Sequence, residues 1–419
     1  MTAATFAQEP ARPDTSFTEN WPCFRGPTGQ GLVPAGEWPE LWDGVTGDGV
    51  LWKTPVPLPG NSSPVVWGDR IFLTAATVES QEILCFHRDN GELLWRTRVT
   101  APRAHDVRDL EIFEDTGYAA STPVTDGERL YALFATADIA AVDVIDGGLA
   151  WARNLGDPDN VYGLATSLVL HDKMVIFQFD RGGDARDELS SLLAIDTGSG
   201  ATLWSIPREV DASWSTPILV ETDAGLELIA AGDPWVISYD LDARAERWRV
   251  RGLSGDVAPL PIVAGGMVIV TNEYADMLAI RLGGEGDVTE THIAWRAEDG
   301  LSDAPSPLSD GQYVLQAHSM GELTCFDLET GELLWSEDLP SPSMWASPIL
   351  AGNTVYLFAQ DGKCYLMELG KALELRDGGS IGEKISATPA FADGCIYVRS
   401  ESHLYAIGEE GKTSSPSER

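Results

Sequence analysis

The chain has 419 residues, and 43% of them are hydrophobic, which is enough for several small domains or one large closed one. Its formal net charge is -37, from 65 acidic and 28 basic residues, and a field of this sign repels nucleic acid phosphates and anionic membrane surfaces. We therefore do not expect a nucleic-acid-binding protein. No run of about 18 apolar residues occurs, so a transmembrane helix is not expected either.

The acidity itself has two interpretations. An acidic surface stays hydrated in salty surroundings, which is the simpler explanation, and a dedicated cation-binding role is the other. Five cysteines in a chain of this length do not make a disulfide framework, and no Cys and His spacing typical of zinc occurs. We therefore expect buried free thiols.

The N-terminal segment has features of an exported protein. Small residues at Thr5 and Ala7 precede a polar, proline-containing stretch, as at the end of a secretory cleavage region. We expect residues 1–18 to be leader remnant or disordered, and residues 19–49 to form an N-terminal wrap. A periplasmic or extracellular location follows, although Cys23 is a poor lipid-anchor cysteine because no small-residue run precedes it.

From residue 50 onward, an aspartate recurs eight residues before a tryptophan, with a turn between them and a period of roughly 40 to 50 residues. The best copy runs from Asp327 to Trp335, and His87 takes the aspartate's place before Trp95. The aspartate can accept backbone N–H bonds in its own turn, and a flat indole can wedge between neighbouring sheets. We therefore predict a structural role for the tryptophans of the pattern, which are Trp52, Trp95, Trp151, Trp204, Trp248, Trp295 and Trp335.

A second pattern, usually a small residue followed by proline and an apolar run, marks eight starts. Each start leads into short β-prone segments joined by turn residues such as Asp89–Gly91, as in a four-stranded blade. Seven units remain the alternative if one degenerate unit is an insertion; the weakest is the seventh, where Leu373–Leu375 replaces the tryptophan. The starts are Ser63, Thr122, Ser167, Thr216, Ala258, Ser306, Ser347 and Thr388.

The two ends of the repeat region complement each other. The last unit, from Thr388, lacks a fourth strand, and an unpaired strand, Val50–Thr54, precedes the first unit. Pairing them would complete an eighth sheet and leave no long edge exposed. The sequence therefore predicts an all-β, eight-bladed β-propeller of four-stranded blades over residues 50–408, closed by N-terminal strand pairing with the C-terminal blade, and a disordered tail over 409–419.

These patterns resemble the quinoprotein-like (PQQ-like) β-propeller repeat family, whose blades carry an Asp–turn–Gly–Trp signature. The resemblance covers residues 50–408, and Trp21–Pro27 and Thr122–Tyr131 are similar to a bacterial subgroup of exported single-propeller members. The family includes dehydrogenases that use pyrroloquinoline quinone and the non-catalytic, eight-bladed outer-membrane assembly lipoprotein. Because one fold serves both, the resemblance implies no single chemistry.

Propeller ligands usually bind at the mouth of the central channel. The loops that enter the innermost strands meet there with the hairpins between second and third strands. Aromatic side chains beside carboxylates and amides would suit a sugar or another small polar ligand, and an ordinary solvated rim is the alternative. The residues expected at the mouth are Asn61, Tyr118, Tyr162, Trp214, Asp256, Glu273, Asp303, His318, Trp345, Lys384 and Arg399.

A dehydrogenase of this family would need calcium held by Glu, Asn and Asp oxygens, an aspartate base and an aromatic floor under the quinone. The nearest equivalents are Asn272, Glu273 and Asp303 as metal ligands, with Trp214 as the floor. Many such enzymes also carry two adjacent cysteines, which this chain lacks. No nucleophile elbow, Walker loop or dinucleotide fingerprint occurs.

Two other features leave alternatives open. His318 and His403 are candidates for the acid and base of a lyase, although nothing in the sequence pairs them. The stretch Thr100–Tyr118 is longer than its connection requires and is expected to be a lid, a metal clip, a partner-binding loop or surface decoration. Its charged residues are His105, Asp106, Asp109 and Glu111.

The sequence favours a non-catalytic PQQ-like propeller that acts as a binding or assembly scaffold in the cell envelope. On this interpretation no cofactor is needed, and the monomeric chain binds an envelope protein or a small polar or carbohydrate ligand. The alternative is a pyrroloquinoline-quinone- and calcium-dependent sugar or alcohol dehydrogenase with its site at the channel mouth.

Overall fold

Short antiparallel sheets account for most of the regular structure. The structure is a computed structural model, and it describes residues 19–103, 106, 108, 110 and 112–409. Within these residues the strands form eight sheets of four strands, two of which gain a fifth. Helical turns are short, Ala185–Asp187 and Thr289–His292, and no described helix is long and apolar enough to span a membrane. The predicted eight-bladed propeller is confirmed.

The first four blades follow the chain from the channel outward. Blade 1 contains Val65–Trp67, Arg70–Ala76, Gln81–His87 and Leu93–Arg98. Blade 2 contains Val124–Thr125, Arg129–Leu133, Asp138–Asp143 and Leu149–Asn154. Blade 3 contains Val169–His171, Met174–Phe179, Ser191–Asp196 and Thr202–Pro207. Blade 4 contains Ile218–Thr222, Gly225–Gly232, Trp235–Asp240, Ala245–Arg251 and, in parallel, Gly286–Asp287.

The other four blades complete the ring. Blade 5 contains Ile262–Ala264, Met267–Val270, Met277–Arg281 and Ile293–Ala297. Blade 6 contains Leu308–Ser309, Tyr313–Ala317, Glu322–Asp327 and Leu333–Asp338. Blade 7 contains Ile349–Ala351, Thr354–Phe358, Lys363–Met367, Arg376–Ser380 and, in parallel, Leu32–Val33. Blade 8 contains Ala390–Ala392, Cys395–Arg399, His403–Ile407 and Val50–Pro55.

The burial of each strand reflects its place in the blade. Arg70–Ala76 and Gln81–His87 of blade 1 are buried along almost their whole length, because a neighbouring blade covers each face. The outer strand Leu93–Arg98 is largely exposed and alternates in its second half. The core therefore lies in the seams between blades, as in the cluster that joins Phe72 and Ile83 of blade 1 to Leu130 of blade 2.

Blade 8 is assembled from the two ends of the chain. Val50–Pro55 runs antiparallel to His403–Ile407, with Trp52 opposite Ala406 and Thr54 opposite Leu404. This is the pairing that the incomplete last repeat led us to expect. It covers the outer edge that the third strand of the blade would otherwise expose.

The repeated tryptophans lie in the seams between blades. Five of them donate their indole N–H to a backbone carbonyl one blade further on, next to the turn that follows that blade's third strand. The donor and acceptor pairs are Trp52 with Arg88, Trp95 with Val144, Trp151 with Thr197, Trp295 with Leu328 and Trp335 with Gly370, at 2.8 to 3.3 Å. The repeated pattern therefore marks a hydrogen bond between neighbouring blades as well as the turn inside each blade.

Blades 3 and 4 depart from this arrangement. Trp204 Nε1 is buried and has no partner among the described residues, and the corresponding turn of blade 4 has Arg244 at a positive φ of 54° where other turns have glycine. Trp248 donates instead to the buried carboxylate of Glu227 at 3.0 Å, which also accepts from the Ser238 hydroxyl at 2.5 Å. Blade 5, which follows Trp248 in the ring, has a lengthened turn after its third strand, and this turn includes the extra strand Gly286–Asp287.

Residues 20–33 cross the end of the channel opposite the predicted mouth. They contact the inner strands, or the loops entering them, of five blades. Because these blades lie on different sides of the ring, the segment must cross the channel to reach them. Phe24 of this segment lines the cavity at the mouth and so forms its floor. The pairs involved are Trp21 with Val66, Pro22 with Thr125, Gln30 with Val263, Arg25 with Pro307, and Leu32–Val33 with residues 350–351.

Candidate functional site

A ring of hydroxyl groups joins the blades around the channel. The backbone N–H of one start residue commonly donates to the side-chain oxygen of the next, so six of the seven hydroxyls satisfy a donor of the preceding blade. Ala258 has no hydroxyl and interrupts the ring; beyond it, Leu260 N donates to Ser306 Oγ at 3.1 Å. The other bonds run from Ser63 to Thr122, Thr122 to Ser167, Ser167 to Thr216, Ser306 to Ser347 and Ser347 to Thr388, at 2.9 to 3.1 Å.

Most of the residues expected at the mouth line two adjoining cavities. The first, of about 300 Å³, is central, and the second, of about 520 Å³, lies over blades 7, 8 and 1. The first is lined by Tyr162, Trp214, Asp256, Glu273 and Asp303, the second by Tyr118, Lys384 and Arg399, and both by Asn61 and Trp345. His318 lines neither cavity and stands behind the carboxylates of the first.

An aromatic wall stands on one side of the first cavity. The rings of Tyr162 and Trp214 meet edge to face with centroids 4.9 Å apart, and Phe113 packs against the outer side of Tyr162 at the same distance. Trp214 Nε1 donates to Asn160 Oδ1 at 2.6 Å, which fixes the indole. The wall is therefore preformed, and it presents to the cavity the parts of Trp214 and Tyr162 that remain uncovered, Trp214 being 9% exposed.

Carboxylates line the first cavity beside this wall, where Trp214 N donates to Val257 O at 2.9 Å, next to Asp256. His318 lies 3.9 Å from both Glu273 and Asp303, and its Nδ1 accepts the backbone N–H of Met320 at 3.1 Å. Burial, and then the charge of Glu273, raise the pKa of Asp256 above its ordinary value. The first cavity thus concentrates negative charge at a place where burial reduces its solvation by water.

A buried arginine closes the seam between blades 8 and 1. Arg399 is 2% exposed, and its Nη1 donates to Ser62 Oγ at 2.7 Å and to Thr74 O at 2.8 Å. Burial lowers the pKa of Arg399 to about 9, and among the described residues no carboxylate pairs with it. Since Nη1 of Arg399 donates to blade 1 and its entering loop, Arg399 joins the seam as well as lining the second cavity, and Lys384 is the exposed cation of that cavity.

The residues predicted to hold calcium do not form a cage. The Asn272 side chain is fully buried and bonded to its neighbouring loop: its amide donates to Ser254 O and to Asp256 O, and Oδ1 accepts from Ser254 N at 3.4 Å. Asp303 accepts from the backbone N–H of Ser319 at 2.9 Å. Within the described part of the chain, no three His, Cys, Asp or Glu residues are grouped to hold a metal ion. The site as folded does not fit the predicted calcium ligands.

Sequence reasoning missed several residues of the mouth. Asp115 and Thr116 line both cavities from the end of the long loop, and Tyr274 lines the first from the same hairpin as Glu273. Asn61 Nδ2 donates to Asp115 O at 2.9 Å, so this loop end is attached to the mouth. Tyr274 could have been predicted because it follows Glu273 in the sequence. The position of Asp115 and Thr116 could not, because it depends on a contact with the distant Asn61. His105, Asp109 and Glu111 lie outside the described residues.

Comparison with known protein families gives one family match over most of the chain. A family model described as outer membrane protein assembly factor BamB matches residues 41–186 and 188–414. A curated relative, the outer membrane protein assembly factor BamB of Alkalilimnicola ehrlichii, is 28% identical over 163 residues. That match covers 39% of this chain and 37% of the relative, so the chain is aligned to little more than a third of the relative's length.

Solved structures share the architecture at low sequence identity. The crystal structure of BamB from Moraxella catarrhalis has a TM-score of 0.61 at 13% identity, over 87% of this chain and 98% of that one. A europium-containing methanol dehydrogenase has a TM-score of 0.63 at 9% identity, over 94% and 98%. An assembly factor and a dehydrogenase therefore share this fold, and similarity at this level indicates the fold alone.

Proposed function

The chain belongs to the family of the outer membrane protein assembly factor BamB, a group of PQQ-like β-propellers, and on that premise we propose that it is a non-catalytic binding or assembly scaffold of the cell envelope. We place it in the periplasm or outside the cell, as a monomer. Its partner is an envelope protein or a small polar or carbohydrate ligand that binds at the channel mouth.

The observation that carries this proposal is the arrangement of Asn272. A quinone enzyme of this fold needs an amide oxygen, together with carboxylate oxygens, turned toward its metal. In this chain both ends of the Asn272 amide are bonded to Ser254, and the donor end also to Asp256. The mouth keeps a preformed cavity while its most suitable metal ligand serves the loop, which supports binding over oxidation chemistry.

The experiment adds pyrroloquinoline quinone and calcium to the purified chain. A ligand at a hundred times its Kd stabilises a protein by about 2.7 kcal/mol, which is an easily detected shift in Tm. We expect no shift in Tm and no reduction of an electron-accepting dye with alcohols or aldoses. Dye reduction that requires both additions would overturn the scaffold proposal and establish the dehydrogenase alternative.

The partner is tested on the same protein. A photo-crosslinking residue in place of Tyr274, at the mouth, is expected to give an adduct of defined mass with an envelope protein. The matched control places the same residue at Asp223, an exposed position on a hairpin far along blade 4 from the mouth. Equal labelling from both positions, or none from either, contradicts binding at the mouth.

A further inference from the structure

The carboxylates of the first cavity are not paired with lysine or arginine in the described part of the chain. Four of them line it, and among the described residues no lysine or arginine does. Among the described residues none of the four forms an ion pair with a lysine or arginine, and the imidazole of His318 lies 3.9 Å from Glu273 and from Asp303. Low-dielectric walls focus such a field on the space between the groups. The four carboxylates belong to Asp115, Asp256, Glu273 and Asp303.

Aromatic side chains share this cavity with the carboxylates. Tyr162, Trp214 and Trp345 line it, and Tyr274 lies beside Glu273. A lysine ammonium or an arginine guanidinium is attracted to the face of such rings, and more strongly once water is excluded. Aromatic rings and carboxylates facing one space are therefore complementary to an organic cation, and a guanidinium can also pair with a carboxylate through two parallel hydrogen bonds.

The hydroxyl ring provides an independent indication of a ligand. Seven hydroxyls line the same cavity, and their residues are all more than nine-tenths buried. Six accept a backbone N–H, yet no hydroxyl proton of the seven has an acceptor among the described residues. Hydroxyl protons at a cavity wall are free to donate to a ligand, and the carbonyl groups of a peptide are suitable acceptors. The hydroxyls belong to Ser63, Thr122, Ser167, Thr216, Ser306, Ser347 and Thr388.

Exposed apolar side chains lie on the loops next to this acidic cavity. Phe113 and Val161 are each 51% exposed, Tyr274 is 62% exposed and Met320 is 73% exposed. Phe113 N donates to Val161 O at 2.9 Å, which holds these two together beside Tyr162. Exposed apolar groups around a polar centre are typical of a surface that binds another protein.

We propose that the channel mouth binds a lysine or arginine side chain, carried by an extended segment of a protein partner with apolar residues on either side. The cation lies against the aromatic wall and the carboxylates beside it, the peptide carbonyls accept from the hydroxyl ring, and the flanking residues cover the apolar rim. This inference rests on the scaffold function proposed above and specifies the chemistry of its partner.

The test measures binding by isothermal titration calorimetry with two capped pentapeptides. Each has a central residue between two phenylalanines: arginine in one, and citrulline, its uncharged isostere, in the other. We expect the arginine peptide to bind wild type at least about tenfold more tightly than the citrulline peptide, because a desolvated charge pair contributes at least about 1.4 kcal/mol. Equal affinity for the two peptides, or no binding of either, overturns the proposal.

Variants then locate the site on the intact chain. The pair Asp256→Asn and Glu273→Gln is expected to weaken binding of the arginine peptide by at least about tenfold. The matched control, Glu221→Gln with Asp223→Asn, removes the same charge from exposed positions on the first hairpin of blade 4 and is expected to leave the affinity unchanged. Equal weakening by both pairs would mean that the overall negative field attracts the peptide, and the proposed site would be wrong.

Failure of this inference is distinguishable from failure of the scaffold function. If the crosslinked envelope complex still forms with the Asp256→Asn and Glu273→Gln variant while the arginine peptide does not bind wild type, the scaffold stands and the cationic ligand is wrong. If dye reduction appears with quinone and calcium, the scaffold itself is wrong, whatever the peptide does.

Discussion

The turn glycines show how one residue joins two blades. Gly331 has a positive φ of 73°, and a Cβ added there would lie 2.6 Å from Trp295 Cδ2 of the preceding blade. The same indole donates to Leu328 O at 2.9 Å. The glycine is needed both for the left-handed turn and for the close approach of the tryptophan face.

Replacing Gly331 with alanine is expected to lower the free energy of unfolding by about 2–3 kcal/mol, from backbone strain and overpacking together. The matched control is Gly311→Ala, since Gly311 has a φ of 92° and nothing within 4 Å of an added Cβ. That control should lose only about 1 kcal/mol, the backbone contribution. Denaturant unfolding measures both, and equal losses would show that the tryptophan contact contributes little.

At the scale of elements, Glu383 links the strands of blade 8. Its carboxylate accepts from Lys53 Nζ at 2.7 Å, in the N-terminal strand, and lies 3.0 Å from His403 Nδ1, in the last strand. Ser400 Oγ donates to it at 2.6 Å. Burial alone would raise the pKa of Glu383, but these hydrogen bonds outweigh it and lower the pKa to about 2.

Because the pKa of Glu383 is lower in the folded state, its contribution to stability is present above the unfolded value of about 4.3 and is lost as the pH falls toward 2. We expect Glu383→Gln to remove about 1 kcal/mol of stability at pH 7, and the difference from wild type to shrink between pH 4.5 and 2. Urea unfolding across this range measures it. Glu374→Gln, at an exposed residue, is the control; a constant difference for Glu383→Gln would contradict the linkage.

At the scale of the whole molecule, the net charge of -37 acts against compaction. Like charges on one folded body repel, and salt screens exposed charges over about 10 Å at 0.1 M. The bonds that hold the ring closed are short-range contacts in the seams and are screened much less. Added salt should therefore relieve the repulsion without weakening the seams.

We expect the Tm at pH 7 to rise by several degrees between about 20 mM and 0.5 M sodium chloride, because screening lowers the self-repulsion of the folded state. Calorimetry in the same salt series near pH 4, where many carboxylates are protonated, is the control and should show a smaller rise. A Tm at pH 7 that is flat or falls with salt would contradict this account of the acidic surface.

Local patterns determined the architecture. The aspartate, turn and tryptophan of each unit lie within nine residues, as from Asp327 to Trp335, so the sequence shows them directly. Eight starts and one unpaired strand, Val50–Thr54, then specified a ring of eight blades. The loops that meet at the mouth also followed, because in a propeller their position depends only on their place in the repeat.

Tertiary structure alone decided what those residues do. Arg399 lines the mouth, as expected, and also bonds across a seam to blade 1, while the Asn272 amide, predicted as a metal ligand, is bonded to its neighbouring loop. Arg25 reaches Pro307, 282 residues away, when its segment crosses the channel. Repeat patterns record contacts between residues with fixed spacing, whereas these contacts join residues that only the closed ring brings together, so no spacing in the sequence encodes them.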